Sequence, residues 1–466
     1  MKASPRSAAL RIIVTAVLAV ATATKAHAEG PPSSGDENAA LPQATDASPA
    51  PLVIDAVRAA QFKSLLLPEL YPLVQSDVIS FESFARTKYD WGLGSDWTND
   101  SQANTTLAPG NDLRPEYRSH SGFPFAEVKS QKGGAEEAHK ILWNSAAALA
   151  VFPVQKYGES LLWYKQGKFH QELGLSIERL YPARVSGVTA GTQLFRERLG
   201  VTEPAVLAPF SMLTFRFLGA DEDLLWLFSP AINKARQLTG ADRGDSLLGT
   251  PVSLDDLFIW SGKHESIDAT VQADTQALVP VAGGDLLHLT PGENSCFTQQ
   301  DFDGRPGMDQ VSQWVGQGRS AWSIFSSLSY AVPRAVWRVE LTSNDPFSPY
   351  GRQIVTVDQE TMLPLLKLAY DRSGHPWKLV MGALAFAAQN DARRTAVYPI
   401  VLVHDYLKDE TALLRETEGV FCDTLGATVP ADRFDIKTFI AGGEAQSSSE
   451  EAKSESKSSE KDSEDE

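Results

Sequence analysis

The chain has 466 residues, of which 42% are apolar and 22% charged, and its formal net charge is −17. That length and apolar content supply a large core, while an acidic balance without clustered Lys and Arg excludes the basic footprint of a nucleic-acid-binding surface. The charge is uneven: Glu444–Glu466 holds nine acidic and three basic residues, so −6 of the −17 belongs to this tail.

The first residues read as an export signal. Lys2, Arg6 and Arg11 precede an apolar run from Ile12 to Ala23, and Ala26-His27-Ala28 fits the small-x-small cleavage rule. Cleavage is expected after Ala28. No cysteine lies near that site, so no lipid anchor is expected, and the best later apolar run, Val380–Ala388, is too short to span a bilayer. The expected product is periplasmic, exported, soluble and not lipidated. Residues 29–50, rich in Ala, Pro, Ser, Asp and Glu without apolar period, read as a flexible leader. Residues 51–441 read as a single domain with helical insertions, and 442–466 as a disordered acidic tail.

Within the domain, Ala56–Leu67 has helical character until Pro68 and Pro72, and Asp77–Tyr89 alternates as a strand does. Gly92–Pro115 is a loop rich in Asn, Thr, Asp and Gly. Glu136–Val151 carries Ile141, Leu142, Ala146 and Leu149 at helix spacing. Short strands return from Ser160, with Gln166-Gly167 as a hairpin turn; Thr192–Leu199 and Val206–Phe210 fit no pattern well. MLTFRFL (Met212–Leu218) and LLWLF (Leu224–Phe228) flank the acidic turn Asp221-Glu222-Asp223 as hairpin arms. An extended arm follows, then Ser253-Leu254-Asp255-Asp256, the [ST]-x-x-[DE] pattern of a helix start, which predicts a short amphipathic helix over Ser253–Trp260. His264–Leu278 and Leu286–Thr290 are strand candidates about Gly283-Gly284, and Gln310–Tyr330 contains a helix candidate. AVWRVELT after Pro333, RQIVTVD, LPLLKLAYD and WKLVMGALAFA then form a meander, with further edges at Val397–Val403 and Gly419–Cys422. Strands in sequence with helical excursions, rather than alternating βαβ units, predict an α+β fold with a large antiparallel sheet and helices against one face.

Three segments carry a resemblance. LLWLFSPAINKARQLTGADRGDSLLGTPVSLDD, WRVELTSNDPFSPYGRQIVTVDQETMLPLLKLAYDRSGHPWK and, more loosely, GFPFAEV followed by AHKILWN resemble an exported bacterial family known as domain-of-unknown-function family 1329. The likeness spans Gly122 to Trp377. The region before Ser119 and the acidic tail lie outside it. That family is similar to outer-membrane lipoprotein-sorting (LolA/LolB-like) proteins. The resemblance implies a curved antiparallel sheet forming an open half-barrel about an apolar cavity, with helices as a lid against its concave face and the Ser253–Trp260 segment in that lid.

The chemistry of the remaining motifs is modest. Gly244-Asp245-Ser246-Leu247-Leu248-Gly249 misses the nucleophile-elbow spacing by one residue and reads as a turn. Arg243-Gly244-Asp245 reads as a local charge pair. Asp301, Asp303, Gly304, Gly307 and Asp309 place Arg305 and Pro306 where a calcium loop needs an oxygen ligand and a glycine. The histidines show no paired-ligand spacing, so no metal, cofactor or catalytic set is predicted. Cys296 and Cys422 either bridge or remain two buried thiols; spacing does not decide. The aromatics Phe215, Phe217, Trp226, Phe228 and Trp337 either fill a core or, with Leu257, Phe258 and Trp260 as cap, line a ligand site. The expected function is therefore a periplasmic carrier or sorting factor for a lipid or other apolar molecule, serving an envelope transporter or outer-membrane protein. An adaptor without ligand and an unrecognised hydrolase are the alternatives.

Overall fold

The computed structural model describes residues 52–83, 91–102, 106–129, 131–230, 234–282, 286–299 and 308–440. The export signal, leader and acidic tail lie outside the described residues, as do Asp301–Gly307 and Gly283-Gly284.

Among the described residues, seventeen strands form one sheet. In chain order they are β1 (Leu52–Ile54), β2 (Phe81–Ser83), β3 (Val154–Lys165), β4 (Lys168–Leu180), β5 (Gln193–Glu203) and β6 (Ser211–Phe217). Next come β7 (Leu224–Ser229), β8 (Lys234–Leu238), β9 (Ile267–Ala282), β10 (Leu287–Pro291), β11 (Cys296–Gln299) and β12 (Ser329–Ser343). The last five are β13 (Arg352–Asp358), β14 (Pro364–Tyr370), β15 (Pro376–Ala388), β16 (Arg394–Asp405) and β17 (Glu410–Cys422). Five α-helices are described: α1 (Tyr71–Gln75), α2 (Ser95–Asn99), α3 (Ala135–Ala148), α4 (Val311–Gly316) and α5 (Ala321–Leu328).

The sheet consists of two antiparallel meanders, β3 to β8 and β12 to β17, joined where β17 pairs with β3. Local turn chemistry builds them. Gln166 and Gly167 both have positive φ (50° and 73°), the backbone that a two-residue hairpin needs to match strand twist. Register shifts at Trp163/Tyr164, Gly174/Leu175, Arg338/Val339, Ala383/Ala385 and Glu416/Glu418 mark bulges, each of which bends its strand and together curve the sheet. The main run is antiparallel as the pattern predicts; short parallel pairings of β2 with β12 and β10 with β15 make the whole sheet mixed. Cys296 on β11 stands opposite Cys422 on β17, and the two sulfurs are bonded.

The strand order also dictates the path of the chain between the meanders. β9 pairs antiparallel with β12, at the far end of the second meander, whereas β8 ends the first. These two strands are consecutive in the chain, so residues 239–266 must run from one end of the sheet to the other. They do so across its inner face, burying Leu247, Val252, Leu254, Leu257, Ile259 and Trp260 in the main core. α3 and α5 bury Ile141, Leu142, Ile324 and Phe325 in that same core.

A cavity beneath the cross-sheet strap

The crossing segment is not the amphipathic helix that its first residues predict. The capping box is present: the Ser253 backbone N–H donates to Asp256 Oδ2 at 2.8 Å, and a single 3₁₀ turn covers Leu254–Asp256. There it stops. Phe258 and Ile259 take φ of 53° and 72°, a region that β-branched residues rarely enter. The reason is tertiary. Ile259 packs where Gly382 lies on β15, and a Cβ at Gly382 would sit 2.7 Å from Ile259 Cδ1. Asp256 is drawn down onto the sheet instead of staying at a helix end. Its Oδ1 accepts from Lys367 Nζ at 2.6 Å and its Oδ2 from Lys378 Nζ at 3.1 Å, all three side chains being fully buried. Burial would raise the Asp256 carboxyl, but the two ammonium groups outweigh it and hold it below the usual carboxylate range. For Lys367 burial dominates and lowers its pKa. Ser253 Oγ also lies 3.2 Å from Tyr350 Oη.

Beyond Trp260 the strap is fixed by arginines. Arg216 on β6 donates from Nε to Asp223 Oδ2 at 2.6 Å, and from Nη1 and Nη2 to the carbonyl oxygens of Gly262 (2.8 Å) and Ser261 (3.2 Å). Asp223, the last residue of the acidic turn, is thus a buried counter-ion. Arg243 Nε donates to Asp255 Oδ1 at 3.1 Å, twelve residues on in the strap, and not to Asp245 within its own turn as the local charge pair would have it. His264 stacks on Trp143 of α3 with ring centroids 3.8 Å apart, and its Nε2–H donates to the Leu142 carbonyl oxygen at 3.1 Å. Burial first, opposed by the bond to Leu142 and helped by the nearby positive charges of Arg216 and Lys263, lowers its pKa to about 3, so the ring is neutral.

Between the strap, α3 and the strands β4 to β6 lies a narrow cavity of about 70 Å³. Its walls include Trp97, Leu113, Tyr117, Trp143, Leu194, Phe195 and Trp260, with Arg118, Arg179, Arg184 and Arg216 set among them. On the other side of Trp260 a larger, more polar cleft of about 850 Å³ opens between the strap and the loop at Asp345–Tyr350. Trp260 is a wall of both. Gly262 makes room for it, since a Cβ there would meet the indole at 2.9 Å.

The family model for a protein of unknown function, DUF1329, matches residues 95–419. The chain belongs to the DUF1329 family. Among solved structures, it is similar to a putative outer membrane lipoprotein-sorting protein domain from Vibrio parahaemolyticus, at 14% identity and a TM-score of 0.45, over 66% of this chain and 99% of that one. A DUF1329 family protein from Desulfovibrio piger matches at 12% identity and a TM-score of 0.42, over 63% of this chain and 94% of that one. A LolA superfamily protein from Nitrosomonas europaea matches at 14% identity and a TM-score of 0.36, over 62% and 96%. No curated protein matches.

In this DUF1329 chain the residues singled out from sequence separate into two groups. Phe215, Phe228, and the partly buried Phe217 and Trp226, do share one face of β6 and β7, but that face packs on Ile436 and Phe439 near the end of the described chain. Thr214 and Arg216, on either side of Phe215 in sequence, belong to the opposite, inner face. Leu257, Trp260 and Trp337 are buried in the main core, and Trp260 alone of the eight lines the cavity. Phe258 reaches it indirectly, lying 4.2 Å from the Arg179 guanidinium and 5.4 Å from the Tyr157 ring. The arginines and Phe195 escaped sequence reasoning. The available signal was a charged residue inside an apolar strand, as in FRF, where alternation puts Arg216 on the face opposite its aromatic neighbours. Among the described residues no helix is long and apolar enough to cross a membrane.

Proposed function

We propose that this chain is a carrier or sorting factor of the bacterial envelope that holds an apolar ligand on the inner face of the sheet. The observation that carries the reading is the aromatic cavity enclosed by the strap, with Trp260 as the partition between it and the outer cleft. A cavity of about 70 Å³ takes only part of a long chain, so loading requires Trp260 and its neighbours to move aside. The positive φ of Phe258 and Ile259 fits a segment held by its anchors rather than by its own backbone preference. Transfer of each methylene from water into such a site contributes about 0.8 kcal/mol. The N-terminal pattern supports delivery to the periplasm by a cleaved signal, and an envelope transporter or outer-membrane protein is the natural recipient of the cargo.

The test is native mass spectrometry of the protein purified from envelope extracts, combined with titration of a fluorescent acyl probe. Lipid-mass adducts and saturable probe binding are expected. Bare protein that binds no probe would replace the carrier by an adaptor whose sheet engages a protein.

A further inference from the structure

The four arginines of the cavity are not alike. Two are neutralised in place. Arg216 is paired with Asp223, and Arg179 donates from Nε to Glu197 Oε2 at 3.0 Å while its guanidinium lies between the rings of Phe195 and Phe258 at 4.4 and 4.2 Å. The other two, Arg118 and Arg184, have no carboxylate in ion-pair distance among the described residues. Arg118 uses its Nε on the Pro115 carbonyl at 3.1 Å and its Nη1 on the Gln193 carbonyl at 3.4 Å. Arg184 makes one long hydrogen bond, from Nη2 to Ser121 Oγ at 3.4 Å, and its guanidinium lies 5.5 Å from the Trp97 ring centroid. Its Nη1 is shut off from solvent with no hydrogen-bond partner among the described residues. Burial lowers both guanidinium pKa values, that of Arg184 to about 10.

Arg184 also stands at a junction. It and Trp97 line both the aromatic cavity and an adjoining open chamber of about 490 Å³ that contains Asp96, Asp100 and Arg393. Arg393 is already paired with Asp423 at 2.6 Å, and that carboxylate acts on Arg184 only from beyond ion-pair distance, so Arg184 is the guanidinium of the chamber with no ion pair among the described residues. A buried donor without an acceptor is costly, and a guanidinium fork fits a carboxylate or phosphate through two parallel N–H···O bonds.

We propose that Arg184, helped by Arg118, seats the anionic head group, a carboxylate or phosphate, of an amphiphile whose apolar part enters the aromatic cavity. The proposal rests on the carrier reading and narrows it: the cargo is a lipid anion, not a neutral hydrocarbon. The two arginines sit on successive 3₁₀ turns, Pro115–Ser119 and Pro182–Arg184, where each turn's opening proline presets the backbone.

The experiment compares decanoate, decyl phosphate, decanol and inorganic phosphate by calorimetric titration into wild-type, Arg184→Gln, Arg184→Lys and Arg118→Gln proteins, with thermal unfolding as the check on folding. Wild type should bind the two chain-bearing anions at least about tenfold more tightly than decanol, the scale of a charge-assisted hydrogen bond. Arg184→Gln should abolish that preference, bringing the affinity for the two anions down to that for decanol, and Arg184→Lys should restore part of it. Equal affinity for decanol and decanoate in wild type overturns the head-group site and leaves the carrier intact. Inorganic phosphate binding as tightly as decyl phosphate overturns the amphiphile in favour of a small-anion site. If no chain-bearing probe binds, the carrier reading and the head-group site fall together.

Discussion

Lys367 Nζ on β14 bonds both the carboxylate and the backbone of the strap, reaching Asp256 Oδ1 at 2.6 Å and the Asp255 carbonyl oxygen at 2.9 Å. Lys378, opposite Ala369 on the next strand, completes the arrangement through Asp256 Oδ2. Two buried ammoniums thus share one carboxylate, and the strap is fastened to the sheet by charge as well as by apolar contact.

Removing that carboxylate leaves two buried positive charges facing one another. Asp256→Asn should lower the unfolding free energy by about 3–5 kcal/mol, the range for breaking a buried pair by deleting one partner. Urea denaturation gives the loss, and limited proteolysis should show new cleavage within residues 245–265. A change below about 1 kcal/mol would mean that the strap is held by its apolar residues alone.

Acid should weaken the fold through histidine. The folded-state pKa values of His264 and His404 are lowered, chiefly by burial, to about 3, against an ordinary 6.5. The unfolded chain therefore binds more protons than the folded one between those values, so the stabilisation is complete above 6.5 and declines as pH falls toward 3. Each histidine contributes a slope of up to about 1.4 kcal/mol per pH unit. His264→Phe keeps a ring against Trp143 and should remove one proton's share of the slope between pH 6.5 and 5, read from urea unfolding at several pH values. An unchanged slope would place the acid sensitivity elsewhere.

The bridge between Cys296 and Cys422 closes a loop with a sequence separation of 126. In the chain-entropy model a loop of that length contributes about 4–5 kcal/mol. Replacing both cysteines by serine should lower stability by that order in oxidised protein and have no effect in reductant. Two titratable thiols in denatured, oxidised protein would refute the bridge.

Trp260 gives the test of the cavity as a binding site. Trp260→Ser joins two existing spaces rather than opening a sealed void, so its destabilisation should fall near the lower end of the usual loss for large-to-small core changes, about 3 kcal/mol. Affinity for a fluorescent acyl probe should fall at least about tenfold in protein that is still folded at 25 °C. Affinity declining only in step with the unfolded fraction would make Trp260 a core residue and nothing more.

Hairpins were legible in the sequence because their causes are local. The Gln166-Gly167 turn, the MLTFRFL and LLWLF arms, and the β12 to β15 meander all carry their turn residues beside their strands, although β12 begins at Ser329, ahead of Pro333. The capping box at Ser253 and Asp256 was equally legible. What followed it was not, because the same four residues open an α-helix or a single 3₁₀ turn, and the choice is made by lysines more than a hundred positions away. Period-two alternation correctly paired Phe215 with Phe217 and Trp226 with Phe228. It could not say which face looks inward, since that depends on where Ile436 and Phe439 return. A lone Lys in each of two apolar strands, LPLLKLAY and WKLVMGALAFA, was the overlooked sign of a buried charge needing a distant partner.

The strap's route has a consequence for how the chain reaches its native state. Hairpins within each meander can zip up early, since their partners are neighbours in sequence. The strap cannot dock until β14 and β15 are in register with each other and joined, through β17 and β3, to the strands that carry Arg216. A slip of one residue in β14 or β15 would turn Lys367 or Lys378 to the outer face and leave Asp256 with one buried partner or none. The final docking of the strap therefore proofreads that part of the sheet: only correctly aligned β14 and β15 offer Asp256 its two partners, and a misaligned sheet keeps its apolar inner face exposed to the chaperones and proteases of its compartment.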